Sequence, residues 1–217
     1  MPNGRRRQIA DIADRRSVYL IEDDVYGFLL DEEPAPLFTY TPKHGIYLTS
    51  LSKAVASGLR TGFVVVPDGQ MAKFISAMRT NVLMASPINV EIAADLINSG
   101  AGRELALGQR DEICVRQAMV ADRLHGLNLR RHPASSHCWM PVPSCFPDEH
   151  AFRARLLEKG VNVMPGSVFA IDDGLPLERP HERLCLGAEP DRNRLDQALE
   201  IIYEIARCDE THAHPEV

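Results

Sequence analysis

The sequence predicts an α/β fold followed by a small α+β domain. Short, continuous apolar runs such as Val18-Tyr-Leu-Ile21 and Ile46-Tyr-Leu-Thr49 suit strands of a mostly parallel sheet, which is covered on both faces. Helical periodicity then dominates from about residue 70 to 126. After Gly126 the pattern shifts to short strands and two amphipathic helices.

The elements follow in order. Residues 5–15 read as a helix with Ile9, Ala10, Ile12 and Ala13 on one face. A strand over 18–23 ends in Glu22-Asp23-Asp24-Val25-Tyr26. Acids at that point either start a solvated turn or sit where open α/β sheets bind ligands, beyond the carboxyl ends of their strands. Residues 27–45, with three prolines, read as a surface loop, and strands follow at 46–50 and 62–67. Residues 1–69 are therefore expected to be part of a larger sheet domain.

Connecting helices fill 70–126, interrupted by Pro87, which lacks the N–H that a helix interior needs. The small domain is expected over 127–208. Its strands begin near Leu127, Ser136, Val161 and Arg183. One helix, 149–159, turns Phe152, Leu156 and Leu157 inward, and a second runs over 191–207. Residues 209–217 read as a disordered tail.

Composition narrows the function. Twenty-four Lys and Arg against thirty Asp and Glu give a formal charge of -6, which argues against a broad nucleic-acid surface. Five scattered cysteines lack metal spacing and read as reduced thiols of a cytoplasmic protein. No apolar run approaches the roughly 20 residues of a membrane span.

The stretch from Thr49 to Gly62 carries the chemistry. Lys53 lies three residues after Ser50 and one after Ser52, and Arg60 follows between Gly58 and Gly62. The stretch reads as a strand, a polar turn and a strand. The turn brings an amine, hydroxyls and a guanidinium together, the groups needed to hold a phosphorylated carbonyl compound. Alone, a Ser-x-Ser-Lys turn reads as an exposed lysine on a loop.

Further motifs occur in fixed order around it: Asp23-x-x-Tyr26 before the turn, Ala85-Ser-Pro87 and Gly160-Val-x-Val-x-Pro-Gly-Ser-x-Phe169 after it, and Arg183 opening a late strand. Together they resemble the aminotransferase class I/II family, the fold-type I enzymes that use pyridoxal 5'-phosphate (PLP). The resemblance implies the C-terminal part of the large domain of that fold plus its small α+β C-terminal domain. It also implies amino-group transfer from an amino acid to a 2-oxo acid, and a homodimeric parent.

By that resemblance Lys53 forms the internal aldimine and serves as acid and base. Asp23 pairs with the pyridinium nitrogen, and Tyr26 with the ring 3'-oxygen. Ser50, Ser52 and Arg60 hold the phosphate, and Arg183 takes the substrate carboxylate. Asp24 is the rival to Asp23, but only Asp23 has the Asp-x-x-Tyr spacing. Ser86 stands either near a partner subunit's phosphate or as a helix cap. Trp139 reads as a small-domain core residue.

The Gly-rich loop and ring-stacking aromatic of the family are not in this sequence. The expectation is a truncated form with low or no activity alone. The wording around Leu20, Ser50 and Ala101 is also similar to the aminotransferase-like domain of MocR-type GntR regulators. A regulator would bind DNA only through an N-terminal domain lying outside this sequence.

Overall fold

The structure, a computed structural model, describes residues 1–31, 34–171 and 180–207. The chain divides into two compact units, Met1–Arg110 and Asp111–Val217.

In the first unit, helix α1 (Asn3–Arg16) ends where Ser17 turns into the left-handed region with φ 52°, and Arg15 and Arg16 complement its C-terminal dipole. Its inward stripe is Arg6, Ala10 and Ala13, at helical spacing, while Ile12 is exposed. Arg6 belongs there because its guanidinium pairs with Glu22 on strand β1 (Leu20–Asp23). The other Glu22 oxygen accepts from the Leu37 N–H at 2.6 Å. One carboxylate thus joins a helix, a strand and the short 3-10 turn at Leu37–Thr39.

β1 pairs in parallel with β2 (Gly45–Ser50), with Asp23 opposite Leu48. After the single-turn helix α2 (Leu51–Ala54), β2 pairs antiparallel with β3 (Gly62–Val65), with Ser50 opposite Gly62. Gly45 has to be glycine: a Cβ there would stand 2.7 Å from the Phe38 Cα.

Three helices follow: α3 (Met71–Val82), α4 (Pro87–Asn98) and α5 (Ala101–Arg123). Pro87 takes the first turn of α4, where its missing N–H costs nothing. Ser86 precedes that turn without a side-chain capping bond, so the capping role expected for it is not realised. α4 buries Ala93 but leaves Ile88, Val90, Ile92 and Ile97 exposed. Ile21, Phe63 and Val65 of the sheet are exposed too. The burial expected for these strands is therefore not met among the described residues.

The second unit has the dense core. Strands β4 (His137–Pro141), β5 (Met164–Pro165) and β6 (His181–Cys185) form an antiparallel sheet in the order β4-β6-β5. Helices α6 (Glu149–Glu158) and α7 (Arg192–Ala206) carry aspartate N-caps, Asp148 and Asp191. Alternation turns Cys138, Met140 and Leu184 inward to meet Phe152 and Leu156 of α6 and Leu195, Leu199 and Ile202 of α7.

Several expectations need correction here. Leu157, expected inside, is 51% exposed, because Phe152 and Leu156 already fill the inward row four residues apart. The strand expected near Leu127 reduces to one bridge, Arg130 to Trp139. Cys114, Cys138 and Cys185 are free thiols, but Cys145 is disulfide-bonded, contrary to the expectation of reduced thiols throughout. The tail expected to be disordered lies outside the described residues.

Glu182 is the anomaly of this core. Its exposure is 0%, and neither carboxylate oxygen has a hydrogen-bond partner among the described residues. Burial, and then the Glu149 carboxylate, push its pKa up to about 7, against a weaker opposing pull from Arg153. The folded protein thus retains a proton that an exposed glutamate, with pKa 4.5, would release. Stability conferred by the neutral acid is present at low pH and is lost as pH rises towards 7. The thermal midpoint of the wild type is expected to fall relative to E182Q between pH 5 and 8, by about 2–3 kcal/mol of stability. A constant difference between the two proteins across that range would show an ordinary carboxylate.

Candidate active site

The strand register decides which groups share a face in the first unit. Side chains alternate along a strand, and Asp23 is level with Leu48. Asp23, Leu48 and Ser50 therefore point to one face of the sheet, and Glu22, Tyr47 and Thr49 to the other. The three successive acids have three separate environments. Glu22 is tied to Arg6 and Leu37. Asp24 accepts from the Tyr47 hydroxyl at 2.9 Å and folds over Gly27, where a Cβ would meet its Oδ2 at 2.5 Å. Asp23 is exposed, and among the described residues its side chain accepts only a long hydrogen bond from the Val25 N–H, at 3.4 Å.

Ser50 ends β2 in an extended conformation and gives way to α2, which carries Ser52 and Lys53. The chain then returns through a 3-10 turn, Ser57–Leu59, and the Thr61 carbonyl accepts from the Leu51 N–H at 3.2 Å. Backbone pairing thus lays the Arg60–Gly62 segment against the start of α2. The Lys53 ammonium lies 5.9 Å from the centre of the Tyr26 ring. Among the described residues, Ser50, Ser52, Lys53 and Arg60 make no side-chain hydrogen bond or ion pair.

Arg60 is held at φ 45°, ψ 31°, in the left-handed region. A non-glycine residue there costs roughly 1–2 kcal/mol. Such strain at a polar turn marks a position where the side chain matters more than backbone comfort.

The second unit holds Arg183. It sits on β6 level with Trp139 and Met164, on the face opposite the core. Its guanidinium carbon lies 4.4 Å from the centre of the Phe169 ring, and its buried Nε has no hydrogen-bond partner among the described residues. The neighbouring Glu182 does not pair with Arg183, since alternation along β6 points it into the core. Trp139, expected inside, instead lies half-buried on the Arg183 face, its ring stacked 5.4 Å from His181. Two contributors had no role from sequence. In the sequence Tyr47 is only part of an apolar run, and Phe169 only the end of the Pro-Gly-Ser-x-Phe motif.

The family profile for aminotransferase class I and II matches residues 2–202. The chain belongs to that family. It is 27% identical over 198 residues to the HTH-type transcriptional regulator YdeF of Bacillus subtilis, covering 91% of this chain and 42% of YdeF. It is 29% identical over 183 residues to 2-aminoadipate transaminase of Thermus thermophilus, covering 80% of this chain and 46% of the transaminase. Among solved structures, a Thermus thermophilus aspartate aminotransferase mutant superposes with a TM-score of 0.82 at 26% identity, over 94% of this chain and 55% of that one. A Pyrococcus horikoshii kynurenine aminotransferase gives a TM-score of 0.83 at 20% identity, over 95% and 52%, a likeness of fold. The aminotransferase fold expected from the sequence is thus present, and the chain spans about half the length of the relatives it matches. Regulators and transaminases both stand among those relatives. No helix among the described residues is long and apolar enough to cross a membrane.

The backbone at Arg60 is open to a direct test. Arg60→Gly is expected to be more stable than Arg60→Ala by about 1 kcal/mol, because only glycine accepts the left-handed region without strain. Urea unfolding of the two variants measures this, and equal midpoints would mean that the turn relaxes out of that conformation.

Proposed function

We propose that this chain is the lysine-bearing half of a PLP-dependent, aminotransferase-like protein acting on an amino acid and a 2-oxo acid. One observation carries the reading. Ser50, Ser52, Lys53 and Arg60, four groups without side-chain hydrogen bonds or ion pairs among the described residues, are gathered in a single turn whose sheet face also presents Asp23.

That donor set fits the cofactor. Two hydroxyls and a guanidinium suit a phosphate, and arginine makes paired, charge-assisted hydrogen bonds to such an oxyanion. Asp23 is available to a ring nitrogen because Asp24 is already committed to Tyr47. Tyr26, whose ring centre lies 5.9 Å from the Lys53 ammonium, would donate to the ring 3'-oxygen. When bound, PLP supplies an electron sink for a substrate carbanion. Lys53 moves the proton at the substrate Cα, as general base and then general acid. Arg183 binds the substrate carboxylate by a two-pronged contact. The complete site belongs to a homodimeric cytoplasmic parent, and this chain alone has low or no transaminase activity.

A second reading is favoured by a separate observation: YdeF, an HTH-type regulator, matches 91% of this chain. In that case the same turn would hold the cofactor of a sensing domain, and DNA binding would lie in an additional N-terminal domain. The coding sequence upstream of Met1 separates the two. A helix-turn-helix there selects the regulator, and a Gly-rich phosphate loop selects the enzyme.

Both readings share one test. Incubation with PLP followed by borohydride is expected to leave the cofactor covalently on Lys53, located by peptide mass. Lys53→Ala should lose the label, and Asp23→Ala should reduce it several-fold. Labelling spread evenly over the lysines would remove the cofactor site from this chain.

A further inference from the structure

We propose that Phe169 is a positioning residue for Arg183, fixing the plane of its guanidinium for a carboxylate ligand. The inference rests on the reading of Arg183 as the carboxylate-binding group.

Arginine side chains are long, and a lone guanidinium on a sheet face samples many rotamers. This one is constrained from below. Its carbon lies 4.4 Å from the Phe169 ring centre, within cation–π range. The ring in turn is braced. Trp139 meets it edge-on at 5.9 Å, with the ring planes at 68°, and Trp139 itself stacks on His181 at 18°. Indole, phenyl and guanidinium form a continuous series of contacts across the face.

The turn that carries Phe169 is also fixed. Residues Gly166–Phe169 form a 3-10 turn directly after β5, whose Met164 is level with Arg183. At Gly166 a Cβ would stand 2.8 Å from the His181 carbonyl and 3.2 Å from the Trp139 ring, so the backbone lies against both. The next N–H, of Ser167, is directed at the Glu149 carboxylate at 3.3 Å and 3.4 Å. Phe169 therefore closes a turn anchored at its first two residues.

The guanidinium held in this way is not consumed by another described residue. No carboxylate among the described residues pairs with it, and its Nε is buried without an acceptor. Aromatic contact orients a cation without neutralising it, which leaves the N–H edges available to an incoming carboxylate. A salt bridge from below would orient Arg183 equally well but would compete with the ligand.

The experiment uses the 217-residue chain and succinate as the probe. Calorimetry gives the affinity, and the fluorescence of Trp139, the only tryptophan, reports locally on the same stack. Wild type is expected to bind saturably with a change in emission, and Arg183→Met to lose both. Phe169→Leu, which keeps an apolar side chain but removes the ring, should weaken binding about 3- to 20-fold, and Phe169→Tyr should restore it to within about twofold. Thermal melts check that each variant is folded, and Phe169→Met replaces the leucine variant if that one is not. If Phe169→Leu, or its methionine replacement, binds like wild type while Arg183→Met does not bind, the positioning role is overturned and the carboxylate reading stands. If wild type does not respond, or Arg183→Met responds equally, the carboxylate reading itself fails, and the positioning role with it.

Discussion

The pairing of β1 with β2 is the constraint on which the candidate site depends. A parallel pair offers no hairpin to fix its register, so the register has to come from side chains. Here Glu22 ties β1 to α1 and to the Leu37 turn, and the hydrogen bond from Tyr47 to Asp24 joins β2 to the end of β1 directly. Once β1 is fixed, alternation assigns the faces: Asp23 goes with Leu48 and Ser50. A one-residue slip of β1 against β2 would put Asp24 or Glu22, not Asp23, on the face that carries Leu48 and Ser50. The antiparallel return of β3 then brings Arg60 and Gly62 back to the start of α2. Lys53 needs no long-range contact of its own, since it inherits its position from the strand before it.

The two units depend on different physics. The second is built on a contiguous apolar cluster, with Phe152 and Leu156 at 0% exposure. The first buries mostly small residues, Ala10, Ala13, Ala54 and Ala93, and leaves Ile21 and Ile88 in solvent. Its order comes from polar ties instead. Arg6 binds Glu22, and Asp14 accepts from Thr41 at 2.5 Å and lies 2.7 Å from His44. Its exposed sheet and helix faces are consistent with a chain that spans about half the length of its relatives. The solvated apolar area that results is the kind that invites association.

Legibility in the sequence followed the range of the interaction. The lysine turn was readable because serine, lysine, arginine and glycine all fall within fourteen residues. Helix α7 was readable because its apolar residues recur at helical spacing. Asp23 could be preferred over Asp24 on spacing alone, but the reason, capture of Asp24 by Tyr47, is a contact across 23 residues. Arg6 in the stripe of α1 was hidden for the same reason: an arginine reads as exposed until a half-buried glutamate answers it. Trp139 was misjudged because periodicity gives the alternation of a strand but not which face meets the helices. The aromatic floor under Arg183 brings together three separate segments, and no local pattern predicts it.

The run Glu22-Asp23-Asp24 shows how little charge alone determines. To a composition count the three residues are equivalent. In the fold each obeys a different substitution rule. Glu22 has to reach two donors at once, Asp24 has to stay short above Gly27, and Asp23 answers only to whatever occupies the face it shares with Ser50. A deletion of one residue just before this run would still supply an acid at nearly every place, yet each would inherit its neighbour's task and perform it badly. Redundancy of charge here gives no redundancy of function.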